Sequence, residues 1–196
     1  VRLALVISSL GGGGGERIML DLARGWVARG YAVTVVTLSG PGTDAYPVPA
    51  GVTRVALRCM GSSGGRLAAP FRVLQRVRRI RQALVEARPD VVVGFMVPTT
   101  TLALQAARGL GCPVLVYELV DPDMERVQQP YAWMRRRLYP AAAAVLAQTP
   151  RAASALWRLA PGSMVVVAPG FVPPFVLGRS REQLDEGEPA FLAVGR

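Results

Sequence analysis

The sequence predicts an α/β fold: a mostly parallel sheet with helices on both of its faces. Short apolar runs rich in valine, leucine and isoleucine alternate with helical patterns along the chain. Those runs are apolar at nearly every position rather than at every second one, as strands buried on both faces are. Length and composition agree. A chain of 196 residues, 51% hydrophobic and 18% charged, holds one compact domain, or one domain and the start of another, and is not a disordered chain.

The elements follow in order. Arg2–Ser8 reads as a buried strand, and glycines 11–15 lead into a helix over Glu16–Arg29, with Ile18, Leu22, Trp26 and Val27 near helical spacing. Gly30 stops that helix. Tyr31–Leu38 is the second strand and Gly51–Leu57 a weaker third; between them Pro41, Pro47 and Pro49 make Ser39–Ala50 a loop. Pro70–Ala87 is a helix with Val73, Val77, Ile80 and Leu84 on one face. Asp90–Phe95 is a strand, and Pro98 stands near the start of a helix reaching Leu110. Cys112–Glu118 is a strand, Tyr131–Tyr139 a short helix, Ala141–Leu146 a strand, Arg151–Leu159 a helix and Ser163–Ala168 a strand. This Rossmann-like unit spans residues 1–168. Prolines, glycines and charges then break the rhythm, giving an expected linker over 169–188. Residues 189–196 (PAFLAVGR) read as the first strand of a second domain, inside which the chain is expected to end.

Composition removes much chemistry. The 23 basic residues are all arginine, against 13 acidic ones, for a net charge of +10; lysine, histidine and asparagine do not occur. A Walker phosphate loop and a Schiff base need lysine, and triad hydrolysis needs an imidazole. Cys59 and Cys112 are too few for a four-thiolate zinc site or a disulfide framework, so no metal is expected and a reducing cytoplasm is the default. Val1–Leu10 lacks a basic leader and a cleavage site, and no apolar run reaches the ~18 residues of a spanning helix.

The first strand, glycine run and helix form a strand–loop–helix unit at a strand's carboxyl end, where open α/β sheets bind ligands. Glycines let backbone N–H groups approach a ligand, and a helix N-terminus favours negative charge. The dinucleotide pattern G-x-G-x-x-G fits at Gly11 and Gly13 but meets Glu16 at its third glycine, and the second strand ends in Thr37-Leu38-Ser39 without a ribose-binding acid. The unit is either a mobile turn or a phosphate or sugar contact, and its place in the sheet favours contact.

Ser8-Ser9-Leu10, the glycines and Gly15-Glu16-Arg17 resemble the S-x-L-x-G-G-G-A-E-R opening of GT-B-fold retaining glycosyltransferases of family 4, with Gly15 where the pattern has alanine. The likeness continues through Pro89–Pro98 with Thr99-Thr100-Thr101 after it, through Tyr117–Pro122 (YELVDP), and to Phe191–Arg196 (FLAVGR). It covers essentially the whole chain in order. The resemblance implies the acceptor-side N-terminal half of a two-domain hexosyl-transferring enzyme, which takes a sugar from a nucleotide sugar without a further cofactor. The fragment alone is expected to be inactive. It implies an acceptor and phosphate loop at Gly12, Gly13, Gly14 and Gly15 with Glu16 and Arg17, although a first-turn arginine is often only solvated. It implies Glu118 and Asp121 as catalytic positions, a carboxylate there orienting or deprotonating the acceptor hydroxyl; Asp121 before Pro122 also suits a plain turn. It implies Arg196 on the donor diphosphate. The sequence departs from the family at Leu119 and Val120, where a basic residue and an amide or hydroxyl are usual.

Arg72, Arg76 and Arg79 lie on one helical stripe, and Arg135 and Arg136 form a second basic cluster beside Tyr131, Trp133 and Tyr139. Such helices suit an anionic headgroup zone, or are solvated faces of core helices. The resemblance adds lipid-linked glycan acceptors at the inner face of the cell membrane, so a peripheral cytoplasmic location is expected. Nucleic acid is not an expected partner, since no helix-turn-helix, RNA-recognition motif or basic tail occurs. The alternative is a non-catalytic domain that binds a polyprenyl phosphate or another anionic ligand.

Overall fold

The structure is a computed structural model and describes residues 1–60 and 69–168. The chain alternates β1 (Arg2–Ile7), α1 (Gly14–Ala28), β2 (Ala32–Thr37), β3 (Val52–Ala56), α2 (Ala69–Ala87), β4 (Val91–Phe95), α3 (Val97–Ala107), β5 (Val114–Glu118), α4 (Tyr131–Leu138), β6 (Ala144–Ala147), α5 (Pro150–Leu159) and β7 (Val165–Val167). The strands form one sheet in the order β3-β2-β1-β4-β5-β6-β7, and every pairing is parallel. The predicted α/β class is what the chain adopts. The expected linker at 169–188, the strand at 189–196 and Arg196 lie outside the described residues.

The side-chain period of two splits the core between the two faces of the sheet. From β1, Leu3, Leu5 and Ile7 point to the face covered by Met19, Leu20 and Ala23 of α1. Ala4 and Val6 point to the other, covered by residues of α2, α3, α4 and α5 such as Ile80, Leu102, Leu138 and Leu156. This arrangement follows from right-handed crossovers: the chain winds outward from β1 to β3, returns to β4, and winds the opposite way to β7.

Element ends moved where local chemistry competes with pattern. The first helix starts at Gly14 rather than Glu16, because Gly13 (φ −85°, ψ 165°) is extended and serves as its N-cap. The strand expected from Ala141 starts at Ala144, since Tyr139–Ala141 closes a 3-10 turn after α4. The helix expected to reach Leu110 ends at Ala107, before Gly109 turns with φ 73°. Close packing of α3 on β4 requires Gly94, where a Cβ would stand 2.8 Å from Thr100 Oγ1 and 3.0 Å from its Cα.

Candidate functional site

The strand order reverses between β1 and β4, and ligands in open α/β sheets bind at the carboxyl ends of the strands flanking such a reversal. Three segments meet there: the glycine loop into α1, Met96 between β4 and α3, and Leu119 after β5. A Cβ on Gly15 would lie 2.7 Å from Leu119 Cδ1 and 3.7 Å from Met96 Sδ. Met96 is held at φ 67° as the residue before α3, a backbone region costly for a non-glycine residue. Glycine backbone, a thioether and a leucine therefore stand together at this reversal.

The glycine loop is braced from the β2–β3 connection. Tyr46 Oη donates to the Gly12 carbonyl at 3.4 Å, and Ala45 N–H to the Leu10 carbonyl at 2.8 Å. Asp44 pairs with Arg54, whose guanidinium also donates to Thr37 Oγ1 at 3.1 Å. Gly12 has φ 93°, which L side chains rarely adopt. Gly13, Gly14 and Gly15 form the cap and first turn of α1. Glu16, three residues past the cap, folds back so that a Cβ on Gly13 would overlap its carboxylate, the placement of the glutamate in a capping box. An anion drawn to this helix N-terminus thus meets a resident carboxylate. Arg17 is about half exposed and lies 4.0 Å from Asp21.

The carboxyl end of β5 corrects two expectations together. Glu118, expected at the acceptor, is 3% exposed; its Oε1 accepts from Tyr139 Oη at 2.6 Å and lies 3.2 Å from Arg135 Nη2. Arg135, expected at a headgroup surface, is buried with Met134 and Leu138 on the inner face of α4 and also approaches Glu125 at 3.9 Å. The two residues are partners in one interior cluster, because the fold turns this stripe of α4 toward the end of β5. Burial pushes the Glu118 carboxyl above the ordinary carboxylate range, against the opposing pull of Arg135 and the Tyr139 hydrogen bond. Burial likewise raises Glu125, and burial with the neighbouring Glu118 raises the Tyr139 phenol.

Asp121 is a turn residue and an ion-pair partner. Its Oδ1 accepts from Asp123 N–H at 3.0 Å and its Oδ2 lies 3.1 Å from Arg151 Nε. Asp123 pairs with Arg158 at 2.8 Å, so both aspartates tie the β5–α4 loop to α5. Of the basic stripe, Arg79 and Arg136 are exposed and Arg72 is half-buried. Arg76 instead bridges elements, donating to the Cys59 carbonyl at 3.2 Å and to Tyr131 Oη at 3.1 Å.

Sequence reasoning missed Met96 and the bracing by Tyr46 and the Asp44–Arg54 pair. No sequence signal marks a loop that folds back over another. Two of the three departures from the family pattern, Gly15 and Leu119, carried a signal: they lie against each other.

The family model of a glycosyl transferase 4-like domain matches residues 13–170. The chain belongs to this glycosyl transferase 4-like family. Solved structures agree on the GT-B fold of this glycosyltransferase domain. It is similar to MurG of Acinetobacter baumannii (21% identity, TM-score 0.60, 88% of this chain and 46% of that one). It is also similar to HepE of Anabaena, solved in complex with UDP (15%, 0.65, 93% and 47%), and to sucrose-phosphate synthase of Thermosynechococcus elongatus (13%, 0.68, 86% and 47%). The domain thus spans about half the length of these relatives. No curated protein matches its sequence.

Proposed function

We propose that this domain is the acceptor-side half of a retaining glycosyltransferase that moves a hexosyl group from a nucleotide sugar to a lipid-linked glycan acceptor at the inner face of the cell membrane. The carrying observation is the meeting of Gly15, Met96 and Leu119 at the reversal between β1 and β4, where open α/β sheets form their binding crevice, within a domain of this family. A nucleotide-sugar donor is supported by HepE, whose structures include UDP and UDP-glucose complexes. A membrane partner is supported by the net charge of +10 and by the arginines of α2 and α4, Arg79 and Arg136 being exposed. Among the described residues no helix is long and apolar enough to cross a membrane, and no cluster of three acidic, cysteine or histidine residues could hold a metal ion.

In this reading the described residues bind and orient. The glycine backbone and Glu16 meet the polar edge of the bound sugar, while Met96 and Leu119 offer an apolar floor to a ring face. Lysine and histidine do not occur, and Glu118 is committed to Tyr139 and Arg135. Same-face attack, with the leaving phosphate accepting the acceptor proton, then requires no base from this half. Arg196 of the V-G-R motif would meet the donor diphosphate. The test incubates the full-length protein with UDP-, GDP-, ADP- and dTDP-sugars and a polyprenyl-phosphate-linked saccharide, following transfer by mass spectrometry and the anomer by NMR. Transfer with retained configuration is the expected outcome. Inverted product would overturn the retaining mechanism, and no turnover of any donor would leave a binding domain.

A further inference from the structure

Away from the crevice, α2, α3 and α4 enclose a groove of about 1080 Å³, slightly larger than the roughly 300–1,000 Å³ of small-molecule sites. Its walls are mostly apolar, with Val73, Leu74 and Val77 from α2 and Trp133, Met134 and Leu138 from α4. Arg108 and Arg137 also line it, and among the described residues lining it none is acidic. The Arg137 guanidinium lies over the Trp133 ring, 6.0 Å from its centroid, an arrangement that keeps cation and aromatic together at the wall.

Two arginines frame the groove. Arg76 donates from α2 to Tyr131 Oη on α4. Arg81 donates to the carbonyls of Ala106 and Arg108 at 2.8 and 2.7 Å, fastening α2 to the end of α3. The groove is built into the packing of three helices. Apolar side chains nevertheless stand in solvent around it: Phe71 is 76% exposed, Trp133 58% and Leu74 46%. Exposed aromatic and aliphatic residues beside arginines suit the boundary of an anionic bilayer. A symmetric second copy fits less well, since it sets the same patch on itself and brings Arg108 and Arg137 against arginines with no acid to pair them.

We propose that this groove takes one hydrocarbon chain of a phosphate-bearing membrane lipid, its phosphate held by Arg108 and Arg137. The proposal rests on the membrane reading above and gives it a site separate from the crevice.

The experiment uses the full-length protein with Trp26→Phe and Trp157→Phe, leaving Trp133 as the reporter among the described residues. The probe is vesicles of phosphatidylglycerol and phosphatidylcholine with bromine at defined acyl positions. The expected result is quenching of Trp133 fluorescence that is stronger for bromines deep in the chain than near the headgroup. Leu74→Glu with Val77→Glu weakens vesicle partitioning about tenfold or more. Arg108→Gln with Arg137→Gln weakens it most for anionic vesicles, and less for phosphatidylcholine alone, whose phosphate the two arginines also meet. Quenching only by shallow bromines, or partitioning unaffected by the two glutamates, overturns the groove as a chain site. So does protection of Trp133 by self-association in the absence of lipid, or equal competition by an acidic peptide. Sugar transfer to a water-soluble acceptor by the Leu74→Glu, Val77→Glu variant separates the ideas. Transfer kept with lipid binding unaltered in that variant refutes only the groove, whereas absent transfer with normal deep quenching in the protein that keeps Leu74 and Val77 refutes only the glycosyltransferase reading.

Discussion

At the scale of single residues, the decisive fact is that a carboxylate expected in a cleft lies inside the protein. Glu118 and Arg135 neutralise each other beside Tyr139 and Glu125, and removing one partner of a buried pair strands the other. Arg135→Leu leaves two carboxylates whose folded pKa values are already raised by burial, and raises them further. A carboxyl with a raised folded pKa contributes stability that is full below its unfolded value and lost as pH rises through the folded one. Arg135→Leu is thus expected to cost about 3–5 kcal/mol near pH 8, with the loss shrinking toward pH 4 as both carboxyls protonate. Urea unfolding at the two pH values measures this, and a loss independent of pH would refute the charge pairing. Gly15 and Leu119 give a second prediction. Gly15→Ala gains helix propensity of up to about 1 kcal/mol only where Leu119 has been cut to alanine. In the wild-type background the new Cβ must displace Leu119 Cδ1, so a double-mutant cycle is expected to give a coupling of about 0.5–1 kcal/mol. Additive effects would show that the two side chains do not share the space.

At the scale of elements, the sheet is set by strands the sequence announces, but the helices are placed by contacts it does not. The helix α3 rests on β4 so closely that Thr100 occupies the space of a Cβ at Gly94. Its neighbour there includes backbone, which cannot rotate aside. Gly94→Ala is expected to destabilise the domain by about 1–3 kcal/mol as an overpacked core position, read as a lower urea midpoint with unchanged slope. An unchanged midpoint would mean that α3 can back away from the sheet. The glycine run at 11–15 was legible as a loop feeding a helix. That Gly14 and Gly15 belong to the helix depends on Gly13 being extended and on Glu16 folding over it, which pattern alone does not decide.

At the scale of the whole molecule, 23 arginines against 13 acids leave a net charge of +10. The structure divides those arginines by task. Arg76 and Arg81 hold helices together and Arg135 is interior, while Arg79 and Arg136 face solvent. Association with anionic vesicles is therefore expected to weaken severalfold between about 0.05 and 0.3 M salt, as the Debye length contracts. Arg79→Gln with Arg136→Gln should lower it, whereas Arg76→Gln should chiefly lower the unfolding midpoint. Co-sedimentation beside thermal unfolding distinguishes the two effects, and salt-independent binding would argue against electrostatic attraction.

The sequence by itself determined the α/β class, the order of strands and helices, and the family motifs. These depend on local periodicity, glycine placement and residue type, all of which survive in one dimension. Only the tertiary structure decided which charged side chains face water. An arginine on α4 and a glutamate 17 positions earlier become partners only when the end of β5 and the inner face of α4 are brought together. The sequence named Gly15 and Leu119 as departures from a pattern; packing made them neighbours, because a missing Cβ in the first turn of α1 leaves room that the leucine after β5 fills.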